Sequence, residues 1–380
     1  MASRSHRFLG RLLVLLALGV AACAGEEQYP QTTFEPVTEY GRISDSLFTS
    51  VFWWMMLVLV VVFVFLGFIL WKYRERPDSP EPRPIYGNTV LEILWTVGPA
   101  VIIVLMAVPT IRAIFETQRP APEDALVVEA IGHQWWWEFR YPEQGIVTAG
   151  QMVVPTGTPL DIRLSSADVI HSFWFPRLGG KRDANPVPRV PEGQRPRHQN
   201  HISITIEEPG EYLGQCAEYC GTSHAVMRML AVAVEPAAFE DWVAGMRRDT
   251  VTTAGPALRS ETAPLVARGR EVFMRSSCIA CHAIEGTNAR GVIGPNLTAF
   301  GDRWSIGSGM MDNTGANLFE WIKRAPEIKK GVIMPGSDQG AGGMPPTNLS
   351  DEEIRAVAAY LSSLGAGLPA ETDGGAPGTE

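Results

Sequence analysis

A chain of 380 residues is too long for one small domain and suggests about two or three. It is 46% hydrophobic, as expected of a globular protein that also carries a few membrane segments. The formal net charge of −9 argues against nucleic-acid binding, which usually leaves a basic footprint, and names no other partner.

The N-terminus is basic (Arg4, His6, Arg7, Arg11), then apolar from Leu12 to Val20, and closes on Val20-Ala21-Ala22-Cys23. This resembles a bacterial lipoprotein signal over 1–22, cleaved before Cys23, which would then be N-terminal and lipidated. A plain secretory signal with small residues at its cleavage site is the other reading. Either one starts the following leader, 23–46, outside the cytoplasm.

A two-helix transmembrane hairpin is predicted over 47–112. Leu47 to Trp71 carries no charge, and a second apolar stretch runs from Ile93 to Ile111 with Pro99 and Pro109 inside it. At about 1.5 Å per residue the first comfortably spans a hydrocarbon core roughly 30 Å thick. Trp53, Trp54, Trp71 and Tyr73 suit the aromatic belts. The loop between them holds Lys72, Arg74, Arg76 and Arg83, so the positive-inside rule places it in the cytoplasm and both hairpin ends outside. That agrees with the signal.

From 120 to 245 the texture changes to short alternating runs: Leu160, Ile162 and Leu164; Ile202, Ile204 and Ile206; Met229 to Val234. Turn residues such as Pro155-Thr156-Gly157 and Pro209-Gly210 separate them, which predicts an all-β sandwich or barrel. Within it Cys216 and Cys220 are followed by His224 and Met227. Soft thiolates with imidazole suit copper or zinc. One blue copper needs a single cysteine, so two suit two bridged copper ions; a zinc site or a Cys216–Cys220 disulfide is the alternative. A second histidine must come from elsewhere, and His171 stands upstream.

A polar linker follows over 246–262, then a helical unit over 263–365 and a loose tail over 366–380. Ala263 to Phe273 reads as a helix leading into Cys278-Ile279-Ala280-Cys281-His282, the spacing of covalent heme c attachment. The two thiols add across the heme vinyls and His282 stands behind them as the proximal iron ligand. A CxxC redox motif or zinc knuckle is the alternative, but there is no second cysteine pair here. Ser350 and Glu353 form a capping box, and Ile354, Val357, Leu361 and Leu364 share one face after it.

Residues 40–235 resemble cytochrome c oxidase subunit II, through the cysteine cluster, the Gly210-Glu211-Tyr212-Leu213-Gly214-Gln215 leading into it, and Gly132-His133-Gln134-Trp135-Trp136-Trp137. The resemblance implies a cupredoxin-like β-sandwich or barrel and a binuclear CuA centre. Its ligands would be His171, Cys216, the backbone carbonyl of Glu218, Cys220, His224 and Met227. It further implies that the Glu218 side chain reaches a magnesium shared with subunit I, that electrons arrive at Trp135, and that Glu92 stands at a proton-path entrance. Trp136 and Trp137 read equally well as core packing, and Glu92 as an interfacial carboxylate. Residues 263–364 resemble an all-α class I cytochrome c through the heme motif, Gly294-Pro295-Asn296-Leu297 and the helix contact of Gly269, Phe273 and Tyr360. Its distal ligand should be a methionine; Met334 is favoured over Met344.

The chain as a whole therefore resembles the subunit II of a caa-type heme–copper oxidase. That implies a two-pass protein of the bacterial inner membrane with both metal domains outside. Electrons would pass from an upstream donor through heme c and copper to heme a of subunit I, beside subunit III. Oxygen reduction, coupled to proton translocation, would lie in subunit I. A membrane-tethered carrier serving another acceptor is the rival. Seven histidines are too few for a nitrous-oxide-reductase-like enzyme, and a quinol oxidase subunit would lack the cysteines.

Overall fold

The computed structural model describes residues 29–77, 84, 86–187, 199–247 and 263–365. The signal, Cys23, most of the linker and the tail lie outside the described residues.

Two helices come first, α1 (Glu39–Lys72) and α2 (Thr89–Thr117), each long and apolar enough to cross a membrane. Their large apolar side chains are exposed along almost the whole run, a surface that water would not tolerate and lipid would. Thr38 caps α1 and Asn88 caps α2, while Pro99 and Pro109 lie inside α2. The 34 residues of α1 span roughly 51 Å, well beyond a hydrocarbon core. Its first turns, in the stretch read as a leader, dock on the β domain instead. There Thr38 Oγ1 donates to Leu178 O at 2.6 Å, and the Arg42 guanidinium spans both Glu207 oxygens at 2.7 and 2.6 Å.

The β domain is a pair of five-stranded sheets. One runs β3 (Ile146–Ala149), β2 (Trp136–Tyr141), β1 (Leu126–His133), β5 (Pro159–Ser166), β8 (His201–Thr205). The other runs β4 (Gln151–Pro155), β10 (Arg228–Val234), β9 (Gly210–Cys216), β6 (His171–Phe175), β7 (Gly179–Ala184). Pairing is antiparallel except β1 with β5 and β4 with β10. Alternation along β1 turns Leu126, Val128 and Ala130 inward to meet Leu160, Ile162 and Leu164, all fully buried. A helix, α3 (Pro236–Met246), buries Phe239, Trp242, Val243 and Met246 in the same core.

The C-terminal domain is helical: α4 (Ala263–Arg275), α5 (Cys278–Cys281), α6 (Gly315–Ile328) and α7 (Asp351–Ser362), with a two-strand hairpin of β11 (Ser305–Ile306) and β12 (Met311–Asp312). The Ser350–Glu353 capping box starts α7. Helices α4 and α7 cross at Gly269, where a Cβ would fall 1.9 Å from Ala356 O, and the rings of Phe273 and Tyr360 lie 6.0 Å apart beside it. Helix α6 kinks at Arg324, just before Pro326, because proline removes a helical donor and crowds the preceding turn.

Candidate metal centre and heme cavity

His171 opens β6 and Cys216 closes β9, and the two strands pair, Phe173 against Cys216. The chain then loops through Cys220 and a 3-10 turn, His224–Val226, to Met227 at the start of β10. The loop folds the local ligands back onto the strand ends. His171 Nδ1 lies 3.8 Å from Cys216 Sγ, and Cys216 Sγ lies 3.8 Å from Cys220 Sγ. His224 Nδ1 and Met227 Sδ lie 3.6 and 3.8 Å from Cys220 Sγ, and the Glu218 carbonyl 3.2 Å from Cys216 Sγ. The sulfurs are too far apart for an S–S bond of about 2.05 Å, and both cysteines are free. Two thiols, two imidazoles and a thioether around one point are a soft donor set that fits copper. The Glu218 side chain itself is exposed.

The carboxylate of Asp168 orients the set. It accepts from His171 Nε2 at 2.8 Å, from the Gln134 N–H at 2.7 Å and from the Val169 N–H at 2.7 Å. Holding the proton on Nε2 leaves Nδ1, the nitrogen facing the sulfurs, free to bind a metal. Gly132 keeps the other side clear, since a Cβ there would come 2.5 Å from the His171 ring. Burial works against charge on His171, but Asp168 and the Cys216 thiolate outweigh it and raise its pKa. The hydrogen bond from Cys220 holds Cys216 far below the usual thiol range, and the same contact pushes Cys220 up.

Helix α5 carries Cys278 and Cys281 at its two ends with His282 next. His282 Nδ1 donates to Pro295 O at 2.8 Å, which directs Nε2 into the cavity; burial lowers its pKa, and a neutral imidazole is the form that binds a metal. The cavity measures about 250 Å³ and is lined by both cysteines, His282 and both Met334 and Met344. Met344 Sδ is 3.9 Å from Cys281 Sγ, whereas Met334 packs on the helical core. Arg303 also lines the cavity. Its guanidinium donates to Asn296 O, no carboxylate pairs with it among the described residues, and burial pulls its pKa down to about 10. A mostly apolar slot with a half-buried guanidinium that no carboxylate pairs among the described residues fits a porphyrin bearing carboxylates.

The two sites adjoin. Trp135, only 8% exposed, lines the heme cavity, and its indole Nε1 donates to Cys220 O at 3.1 Å. Gln134 Nε2 donates to the same carbonyl at 2.7 Å. Trp136 stacks on His133 at 4.1 Å and also lines the cavity, whereas Trp137 is fully buried in the sandwich core. Glu92 lies apart from both, at the start of α2, where its carboxylate accepts from the Asn88 N–H at 3.2 Å.

Comparison with known proteins agrees with this architecture. Residues 40–113 match the cytochrome c oxidase subunit II transmembrane domain, residues 144–234 its periplasmic domain, and residues 266–365 cytochrome c. The chain is 36% identical to cytochrome c oxidase subunit 2 of Alkalihalophilus pseudofirmus, over 95% of this chain and 97% of that one. It is 30% identical to the Bacillus subtilis protein of the same name, over 93% and 97%. A solved periplasmic domain of cytochrome oxidase subunit II from Bradyrhizobium japonicum is 30% identical, covering 32% of this chain and 94% of that one, with a TM-score of 0.29. With its apolar hairpin, cupredoxin-like sandwich and C-terminal cytochrome c domain, this chain belongs to the cytochrome c oxidase subunit II family.

Proposed function

We propose that the C-terminal domain receives electrons from an upstream respiratory donor and that they pass across Trp135 to the copper site, for delivery to heme a of subunit I. The observation that carries this reading is Trp135, which lines the heme cavity on one side and donates to the carbonyl of Cys220 on the other. As a subunit II, the chain is an electron-transfer part of a heme–copper oxidase, and oxygen reduction with proton translocation is the work of subunit I.

One heme c and two copper ions, when bound, would supply reversible one-electron chemistry. The residues' own tasks are to bind, orient and exclude water. Cys278 and Cys281 would tether the heme, and His282 and Met334 would hold its iron. The contact of Met344 with Cys281 favours Met344 as the second reading. His171, Cys216, Cys220, His224, Met227 and the Glu218 carbonyl would hold copper in the buried end of the sandwich, a rigid cage of donors. Asp168 fixes the tautomer of His171. The exposed Glu218 carboxylate is free to reach a magnesium shared with subunit I, and Glu92 to face a proton path there. The hairpin sits in the bacterial inner membrane with its basic loop inside, both metal domains outside and subunit III nearby, and Cys23 carries lipid.

The test is a laser-triggered reduction of heme in the purified complex. Copper reduction should follow heme reoxidation with equal amplitude, and Trp135→Ala should slow it. Heme that stays reduced while copper stays oxidised in the wild type refutes the route.

A further inference from the structure

The hydrogen bonds between the heme-bearing domain and the copper domain fall in two segments, 304–309 and 329–331, while Ala299 packs on the sandwich core beside them. In the first, the Trp304 N–H donates to Gln151 Oε1 at 3.1 Å and its indole to Gly150 O at 3.4 Å, while the Arg228 N–H donates to Ser308 O at 3.2 Å. In the second, Ser223 Oγ donates to Lys330 O at 2.6 Å. Between them stands Lys329, which caps the C-terminus of the kinked α6 and is only 3% exposed.

Its Nζ donates to three carbonyls: Trp135 O at 2.7 Å, Gly307 O at 2.8 Å and Val226 O at 3.0 Å. Two of these belong to the copper domain and one to the heme domain's own hairpin, so one ammonium ties three segments. Three acceptors match its three N–H groups. Lysine is almost never buried so fully without a charged partner, and burial pulls its pKa down to about 7. An apolar residue would avoid burying a charge but would leave the three carbonyls without this donor, so the position asks for a reason. The partners supply one. Trp135 is the residue whose indole donates to Cys220 O, and Val226 precedes Met227. Two residues on, Gly331 lies against the Trp135 ring, where a Cβ would come within 2.5 Å of it.

We propose that Lys329 is a positioning residue for electron transfer between the two domains: it pins the heme domain onto the Trp135 backbone and so holds the indole between cavity and copper site. The inference rests on the Trp135 route above. The step it positions moves one electron from heme iron to the copper site; no bond forms or breaks and no proton moves.

The test uses the full chain in its purified complex, with wild type, Lys329→Met and Lys329→Arg. Two quantities are read: the heme-to-copper rate after laser-triggered heme reduction, and hydroxyl-radical oxidation of Trp135, which reports its cover independently of turnover. Lys329→Met removes the three hydrogen bonds that pin the Trp135 backbone and should slow transfer severalfold or more. It should also raise Trp135 oxidation severalfold, with the heme spectrum unmoved. Lys329→Arg, which keeps N–H donors, should recover part of both. A rate within twofold of wild type together with unchanged Trp135 protection overturns the proposal. If Lys329→Met does not accumulate with heme, Lys329→Gln, with two donors, replaces it and must show intermediate values; wild-type values overturn the proposal equally. Absence of transfer in the wild type instead sinks the Trp135 route itself.

Discussion

Asp168 is the residue whose removal best tests how the copper site is held. Its Oδ1 serves the His171 ring and the Val169 N–H, with Ser166 Oγ at 3.4 Å, and its Oδ2 serves the Gln134 N–H. In Asp168→Asn one oxygen is left. Placed at the Oδ1 position it keeps His171 and Val169, but the new amide N–H₂ then faces the Gln134 donor. The variant therefore loses the charge on its bond to His171, since charged acceptors are worth roughly twice neutral ones, and one further bond outright. Loss of such a partner behind a metal-binding histidine costs about 10- to 100-fold in affinity, or about 1.4–2.7 kcal/mol. The carboxylate is 31% exposed, so water screens part of its field and the lower end is expected. Copper affinity, read by chelator competition on the full chain through the thiolate-to-copper absorption, should fall about tenfold. Asp168→Ala should lose more. An affinity within twofold of wild type for both variants would refute the role given to Asp168 in fixing the His171 tautomer.

Met334→Ala should abolish the weak sulfur-to-iron band of the oxidised heme and lower its potential, while Met344→Ala should do neither; the reverse result would assign the ligand to Met344. Glu92→Ala should slow proton uptake and oxygen turnover in the assembled oxidase while heme-to-copper transfer stays near normal. Unchanged turnover with good assembly would leave Glu92 only its cap on the Asn88 N–H. Gly269→Ala puts a methyl 1.9 Å from Ala356 O and must part α4 from α7. It should lower the unfolding midpoint of the heme domain by an overpacking cost of about 1–3 kcal/mol, and an unchanged midpoint would show that the crossing can yield.

The ligands were legible because their chemistry is local. Cys216, Cys220, His224 and Met227 fall within one strand–loop–strand, so spacing alone announces a soft metal site, and the Cys278–His282 run does the same for heme. Strand alternation was legible for the same reason, as in the buried Leu160, Ile162 and Leu164. Helix α3 is readable in the sequence too: Phe239, Trp242, Val243 and Met246 repeat at helical spacing directly before the linker. The start of α1 at Glu39 was hidden by the polar residues of its first turns, which find partners in the β domain rather than in lipid. Asp168 and Arg303 were not singled out, since one charged residue in a loop has the same look whether it faces water or a buried ring.

Lys329 marks the limit of such reading. Its three acceptors lie 194, 103 and 22 residues away in sequence, and nothing local distinguishes it from Lys330 beside it. Only the fold brings residues 135, 226 and 307 to one point. The same holds for the meaning of Trp135. Its motif, taken alone, describes an aromatic residue near copper and open to any donor. In this chain the indole is 8% exposed and covered by Gly331, so the C-terminal domain occupies the place an outside donor would need. The exposed large apolar side chains lining the heme cavity are instead Ile293 and Ile333, with Val292 adjacent. On the proposed route an external donor would meet the heme domain first, and the contact that decides delivery to copper would lie inside the chain, at Lys329 and Trp135.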